Sequence, residues 1–179
     1  SYTSTISFST EDLLANFWDI VHERRDQLPD KIIIRNASSE ITYSDLIIKS
    51  NEISQALQAN NLRDQEGVGL LFSDSVNIIS AFLGTLKSGG YFVSLDPNYP
   101  DDLLKHMVQD AQISILLTDS ENYEKAVSLS DGKFSIINIK TIKDHSDLPD
   151  SKFNFGPTDL VQIIYTSGST GKPKGVLQD

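Results

Sequence analysis

The residues best equipped for chemistry form one run near the end of the chain: Tyr165-Thr166-Ser167-Gly168-Ser169-Thr170-Gly171-Lys172-Pro173-Lys174-Gly175. It holds three Gly, four Ser/Thr and two Lys, and it follows the apolar stretch Leu160–Tyr165. Glycines let a backbone turn so that successive N–H groups converge on one cluster of oxygens. Hydroxyls add donors without bulk, and ammonium groups supply charge against a polyphosphate. The whole chain carries 15 Lys+Arg against 25 Asp+Glu, a formal charge of −10, so two lysines on a Gly-rich loop are a local exception. An ordinary Gly/Ser linker lacks this ordered alternation at the mouth of a buried strand. The run is not a Walker loop. That motif needs G-x-x-x-x-G-K-[ST], whereas Gly168 and Gly171 stand three apart and Lys172 is followed by Pro173. The proline disfavours helical geometry at Lys172 and removes a backbone donor. The spacing predicts a phosphate-cradling loop of another kind.

The elements that must hold this loop are legible as alternating helices and strands. Residues 1–10 are polar and aperiodic and read as a linker or arm. Residues 12–25 read as a helix with Leu13, Leu14, Phe17, Trp18 and Val21 on one apolar face and Thr10 as its N-cap. Lys31–Arg35 reads as a short buried strand, and Ile41–Tyr43 as a second extended piece. Ser44 is expected to cap a helix to about Asn60 whose buried stripe is Leu46, Ile47, Ile53, Ala56 and Leu57. A strand (68–72) and a helix (76–87) follow, the helix apolar on most sides and closed by Ser88-Gly89-Gly90. Beyond them come a strand (91–95), a rigid Asp-Pro-Asn-Tyr-Pro turn (96–100) and an amphipathic helix (101–111). The pattern continues with a strand (114–117), a short helix (123–129), a strand (134–139), a polar loop (141–157) and a last strand (160–165). Such alternation with short connections predicts a layered α/β fold, a mostly parallel sheet flanked by helices.

Composition excludes several function classes. A strongly acidic chain lacks the basic patch that nucleic acid or an anionic membrane requires. No apolar window is long enough to span a bilayer. The absence of Cys removes disulfides, thiolate metal sites and thiol catalysis, and leans towards a reducing, cytoplasmic compartment. His22, His106 and His145 show no metal-ligand spacing; the first two are expected at the surface. Trp18 and Phe17 are expected in core packing. Asp144, Asp147 and Asp150 lack the Gly turn and terminal Glu of a calcium loop and read as solvated. The chain opens on Ser1 and stops at Asp179, directly after its most distinctive motif, as expected of a piece of a longer protein.

The run from Tyr165 to Gly175 resembles the phosphate-loop signature of the adenylate-forming ligases: acyl-CoA synthetases, luciferases and the adenylation domains of nonribosomal peptide synthetases. A second string, Leu86-Lys87-Ser88-Gly89-Gly90 through Leu95-Asp96-Pro97-Asn98-Tyr99-Pro100, is similar to the Leu-Lys-x-Gly-Gly…Leu-Asp-Pro-x-Tyr-Pro motif of the peptide synthetase branch. Ile41-Thr42-Tyr43-Ser44-Asp45-Leu46 resembles the branch's Leu-Thr-Tyr-x-Glu-Leu box. The three boxes come in family order and cover nearly the whole chain. Two departures stand out: Ser94 occupies a position where Pro is common, and Gln65-Glu66-Gly67 replaces the usual Gly-Asp.

The resemblance implies that residues 11–179 are an incomplete piece of the large N-terminal subdomain of an adenylation domain. It implies a two-step reaction, in which a carboxylate attacks the α-phosphorus of ATP and the acyl group then passes to a phosphopantetheine thiol. By motif match Thr166, Ser167, Gly168, Ser169, Thr170, Gly171 and Gly175 would cradle the β- and γ-phosphates, with Lys172 and Lys174 as charge partners. Leu86–Pro100 is assigned structure and no chemistry. The acyl pocket, the acidic Mg²⁺ ligand, the ribose-binding Asp and the catalytic Lys of the family all lie downstream, so no catalytic residue or metal ligand is assigned here and the piece alone is expected to be inactive. Implied partners are an amino acid or other carboxylic acid, a peptidyl carrier protein domain and neighbouring synthetase domains; no nucleic acid or membrane is implied. Two alternatives stand: a degenerate adenylation unit serving as a structural platform, and an acyl-CoA synthetase.

Overall fold

The computed structural model describes residues 10–143, 160–166 and 174–178, with side chains for 17–143 and 160–165. The chain opens with α1 (Thr10–Gln27), a hairpin of β1 (Ile32–Arg35) and β2 (Glu40–Thr42), and α2 (Tyr43–Ala59). Then come β3 (Gly67–Leu71), α3 (Ser75–Lys87), β4 (Tyr91–Leu95), α4 (Asp101–Asp110), β5 (Ile113–Thr118), α5 (Tyr123–Ser130) and β6 (Ser135–Asn138). A 3₁₀ turn (Ile139–Thr141) follows, and the described chain ends with β7 (Gln162–Thr166) and β8 (Lys174–Gln178). The main sheet has the order β6-β5-β3-β4-β7-β8. Its first five strands are parallel, and β8 returns antiparallel beside β7. The layered α/β expectation is met.

Strand alternation divides the sheet between two helical layers. Val68 and Leu70 of β3, Phe92 of β4 and Ile115 and Leu117 of β5 pack with Ile53 and Leu57 of α2 and Ala81 and Leu86 of α3. Leu71, Val93, Leu95 and Leu116 point the other way, onto Leu104, Met107 and Val108 of α4 and Ala126 and Leu129 of α5. A third cluster forms outside the α2–α3 layer, where Trp18 and Val21 of α1 meet Ile41, Leu46, Ile47, Val76 and Leu83. These side chains are almost entirely removed from water, and each Val, Leu, Ile, Phe or Met among them contributes about 1.5–3 kcal/mol of transfer free energy.

The α2–α3 contact is close because Gly84 of α3 has no side chain. A Cβ there would lie 2.6 Å from Ile53 Cγ2 and 3.0 Å from the Ser50 carbonyl oxygen. Lys87 ends the same helix and is buried, at 4% exposure. Its ammonium donates to Asn51 Oδ1 at 2.5 Å and sits 4.2 Å from the Trp18 ring centre, joining α3 to α2 and α1. Gly89 then takes a left-handed conformation at φ +82°, which turns the chain into β4.

Several local expectations are corrected. Thr10 is the first residue of α1 rather than its cap. β1 is only partly buried, because the hairpin lies outside the main sheet. The N-cap of α2 is Thr42, whose hydroxyl accepts from the Asp45 backbone N–H at 3.1 Å; Ser44 lies inside the helix. Ala56 is half-buried, and the α2 stripe instead takes in Ser50, Asn51 and Ser54. Ser50 tolerates burial by donating to the Leu46 carbonyl. Phe17 is 39% exposed while Trp18 is 5% exposed, so the two neighbours face opposite ways. His22 is half-buried, edge-on to Trp18 with ring centres 5.1 Å apart. The strand expected over 134–139 closes at Asn138, whose side chain accepts from Lys140 N–H and starts the 3₁₀ turn. β8 was not foreseen, since its residues follow a loop signature. Of the linker or arm expected over 1–10, Thr10 belongs to α1 and residues 1–9 lie outside the described residues, as do His145 and the acidic loop.

Asp74 caps α3. Its carboxylate accepts from the Val76 N–H at 2.7 Å and from the Asn36 amide at 3.3 Å, binding the β1–β2 hairpin to the helix. Burial pushes its pKa up, but hydrogen bonds from Ser39, Val76, Asn36 and Asn77 outweigh this and lower it. The folded state therefore favours the ionised form. That stabilisation is complete above the ordinary aspartate value of 3.8 and is lost as pH falls through the lower folded value. Asp74→Ala is expected to cost about 1 kcal/mol at neutral pH, and urea unfolding should show the gap to the unsubstituted chain narrowing as pH falls below about 4. Gly84→Val should cost about 1–3 kcal/mol or more in the same assay, through overpacking against Ile53.

Candidate phosphate-loop site at the carboxyl edge of the sheet

Parallel pairing sends the exits of β3, β4, β5, β6 and β7 to one edge. After β3 the chain enters α3 on one face, and after β4 and β5 it enters α4 and α5 on the other. Open α/β sheets bind ligands in the crevice formed where successive connections leave on opposite faces. Four of the strand exits carry fixed polar turns. Asp74 caps α3 after β3. After β4, Asp96 Oδ1 accepts from the Asn98 backbone N–H at 2.9 Å, and Lys125 of α5 donates to the Pro97 carbonyl at 2.6 Å. After β5, buried Asp119 accepts from the Asn122 backbone N–H at 3.0 Å and from its side-chain amide at 2.9 Å. Asn122 also donates to Ser73 Oγ at 3.2 Å, and Thr118 Oγ1 donates to the Leu71 carbonyl at 3.0 Å, tying the β5 exit to β3. After β6, Asn138 donates to Ser120 Oγ at 3.1 Å.

The candidate loop leaves from the fifth exit. Thr166 is the last residue of β7 and pairs with Lys174, the first residue of β8; Tyr165 pairs with Gly175. The hairpin thus brings Thr166, Lys174 and Gly175 together at the root of the loop. Ser167, Gly168, Ser169, Thr170, Gly171 and Lys172 lie outside the described residues.

Strand β7 has a short ladder to the rest of the sheet, registering with β4 at Phe92↔Gln162 and receiving the Phe92 N–H on the Val161 carbonyl at 3.0 Å. Side chains supplement it at both ends. At the entry, Gln65 Oε1 accepts from the Leu160 N–H at 2.6 Å. Gln65 is one of the two departures from the family pattern, and its backbone takes a positive φ of 61°. At the exit, the Tyr165 hydroxyl lies 2.9 Å from Asp110 Oδ2 and 3.2 Å from the Met107 carbonyl of α4. Burial, the hydrogen bond to Asp110 and that residue's charge push the Tyr165 hydroxyl well above the ordinary tyrosine range. It therefore stays a donor throughout the neutral range. Neither Gln65 nor the Tyr165–Asp110 pair was foreseen, because each joins residues tens of positions apart with no shared motif.

On the sheet face opposite α4, Ser94 is exposed at the end of otherwise buried β4, and Ile164 of β7 is 36% exposed. Among the described residues no group of three or more His, Cys, Asp or Glu is placed to hold a metal ion. No helix among them is long and apolar enough to cross a membrane.

Comparison with known proteins gives this geometry a family. The chain is 35% identical over 163 residues to polyketide synthase PksN of Bacillus subtilis (strain 168), covering 89% of this chain and 3% of that protein. It is 35% identical over 159 residues to bacitracin synthase 3 of Bacillus licheniformis, covering 87% and 2% respectively. The chain thus spans only a small fraction of the curated relatives it matches. Its fold superposes on the fatty acyl-adenylate ligase from L. pneumophila, solved in complex with acyl adenylate and pyrophosphate, with a TM-score of 0.73 and 27% identity. That match covers 96% of this chain and 31% of the ligase. The family model described as AMP-binding enzyme matches residues 21–179, and the chain belongs to that adenylate-forming family.

Proposed function

We propose that this chain forms the phosphate-binding corner of an adenylation domain that activates an amino acid or related carboxylic acid with ATP and loads it onto a phosphopantetheine carrier, as in nonribosomal peptide synthesis. The observation that carries the reading is the Thr166↔Lys174 pairing at the carboxyl edge of the sheet. It roots a loop of two glycines, three hydroxyl residues and Lys172 between two ordered strands. The peptide and polyketide synthases among the relatives support the branch.

In this reading the backbone amides and hydroxyls of Thr166 through Gly171, with Gly175, hold the β- and γ-phosphates. Lys172 and Lys174 neutralise the charge that grows on pyrophosphate as the α-phosphorus–oxygen bond breaks. Donors fixed in advance need no reorganisation when that charge develops, and a held leaving group orients the α-phosphorus for attack by the carboxylate. The acyl-adenylate then loses AMP to the attacking carrier thiol, a step in which the pyrophosphate cradle takes no part. Magnesium enters as the companion ion of ATP. Among the described residues no cluster of His, Cys, Asp or Glu is placed to hold it.

ATP–pyrophosphate exchange by the complete protein tests the reading against a panel of amino, hydroxy, aryl and fatty acids, the last included because of the likeness to a fatty acyl-adenylate ligase. Lys174→Ala is expected to lower kcat/KM for adenylate formation roughly 100-fold and to slow transfer from a preformed adenylate much less. Equal slowing of both half-reactions removes the cradle role. Absence of exchange with every acid favours the structural-platform alternative, and transfer to free coenzyme A favours an acyl-CoA synthetase.

A further inference from the structure

We infer that Tyr165 and Asp110 form a clamp that fixes the exit of β7, making both positioning residues for the phosphate loop; the inference rests on the adenylating reading above. Three observations meet here. First, β7 is the strand that ends at Thr166, yet it registers with the parallel sheet at a single pair, Phe92↔Gln162. Its other ordered partner, β8, lies beyond the loop and cannot fix the loop independently. Something outside the ladder must set where Thr166 sits.

Second, the Tyr165 hydroxyl reaches across to α4 and meets Asp110 Oδ2 at 2.9 Å and the Met107 carbonyl at 3.2 Å. A hydroxyl has one proton, and the shorter of the two contacts is the one to Asp110. Third, Asp110 is the last residue of α4, where the helix dipole disfavours an anion. The last turn of α4 holds no basic residue, while Asp101 and Asp102 sit where the dipole favours them. A carboxylate of the wrong sign at that end is accounted for by its bond to Tyr165.

The molecule supplies its own control. Tyr91 also donates its hydroxyl to the end of α4, to the Ala111 carbonyl at 2.7 Å. Its hydroxyl meets the same end of α4 as that of Tyr165, but Tyr91 opens β4, so its backbone lies at the strand entries rather than beside Thr166. Loss of either hydroxyl removes one bond to α4, and only one of the two lies next to Thr166.

The test uses the complete protein and two readouts. Tyr165→Phe and Asp110→Ala should each raise the KM for ATP in pyrophosphate exchange about five- to tenfold, with a smaller change in kcat. Asp110→Asn, which keeps an acceptor, should recover part of the loss. The double variant Tyr165→Phe/Asp110→Ala should be no worse than either single one. Independently of activity, amide hydrogen exchange at Thr166 and Lys174 should speed about five- to tenfold in Tyr165→Phe. Tyr91→Phe should lower the melting temperature comparably and leave both readouts unchanged. The clamp is overturned if Tyr91→Phe shifts them equally, if the two substitutions add, or if exchange at Thr166 and Lys174 is unaltered in Tyr165→Phe. If the unsubstituted protein supports no pyrophosphate exchange, the adenylating reading fails, and amide exchange alone decides the clamp.

Discussion

Parallel pairing is the constraint on which the rest of the structure depends. Antiparallel neighbours would scatter strand exits over two edges. Five parallel strands gather them on one, and every turn that can carry a polar group then falls along a single rim. The cost is that each connection must cross back over the sheet. The chain meets it with α3 on one face and α4 and α5 on the other, and this division makes the crevice. Gly69 and Leu71 face α4 and α5 while Val68 and Leu70 face α2 and α3, so β3 must be apolar on both sides. Its sequence, Gly67-Val68-Gly69-Leu70-Leu71, carries no polar residue at all.

The rim shows where an acidic chain places its carboxylates around the strand exits. Asp74, Asp96 and Asp119 all lie at strand exits, yet each accepts a backbone N–H from the turn that follows. Asp74 caps α3, and the other two brace the turns that lead into α4 and α5. The lysine that braces the rim, Lys125, is likewise engaged, with the Pro97 carbonyl and with Asp101 at 3.4 Å. Lys174 belongs to a different part of the edge, where a hairpin rather than a helix carries the chain onward. The net charge of −10 therefore says little about the field at the loop, which depends on the few groups within a Debye length of about 8–10 Å.

Elements whose signal is local were legible in the sequence. The order of helices and strands from α1 to β7 follows from hydrophobic periodicity and from Gly and Pro punctuation, with ends shifted by a few residues. Several of the corrections share a cause, a partner distant in sequence. Thr42 rather than Ser44 caps α2 because the β1–β2 hairpin holds Thr42 extended, at ψ 169°. Phe17 turns outward because Trp18 claims the inner position, with the Lys87 ammonium over its ring. Lys87 looked like a charged residue inside a motif and is a buried tie between three helices. For the candidate site, the sequence located the loop by composition and could not find what holds it. Gln65 read only as a departure from a pattern. In the fold it meets the start of β7, ninety-five positions away.

That distance bears on what fixes the two roots of the loop. In the proposed role a glycine-rich loop wraps phosphates, and ordering any such loop on binding costs entropy. The entropy is smallest when the two roots are already held at the separation they have in the bound state. Thr166 and Lys174 are cross-strand partners, so their separation is set by the hairpin before any ligand arrives. The hairpin's place relative to the crevice is a separate matter. It is governed by Gln65 at one end of β7 and Tyr165 at the other, because the ladder to β4 is short. Two side-chain contacts thus do for this strand what backbone pairing does for β3 and β5, whose register runs the full length of β3. A strand held largely by side chains can be re-aimed by changing one residue, whereas a strand held by its ladder cannot. This is the physical reason to seek variation in loop placement at positions 65, 110 and 165 rather than within the loop itself.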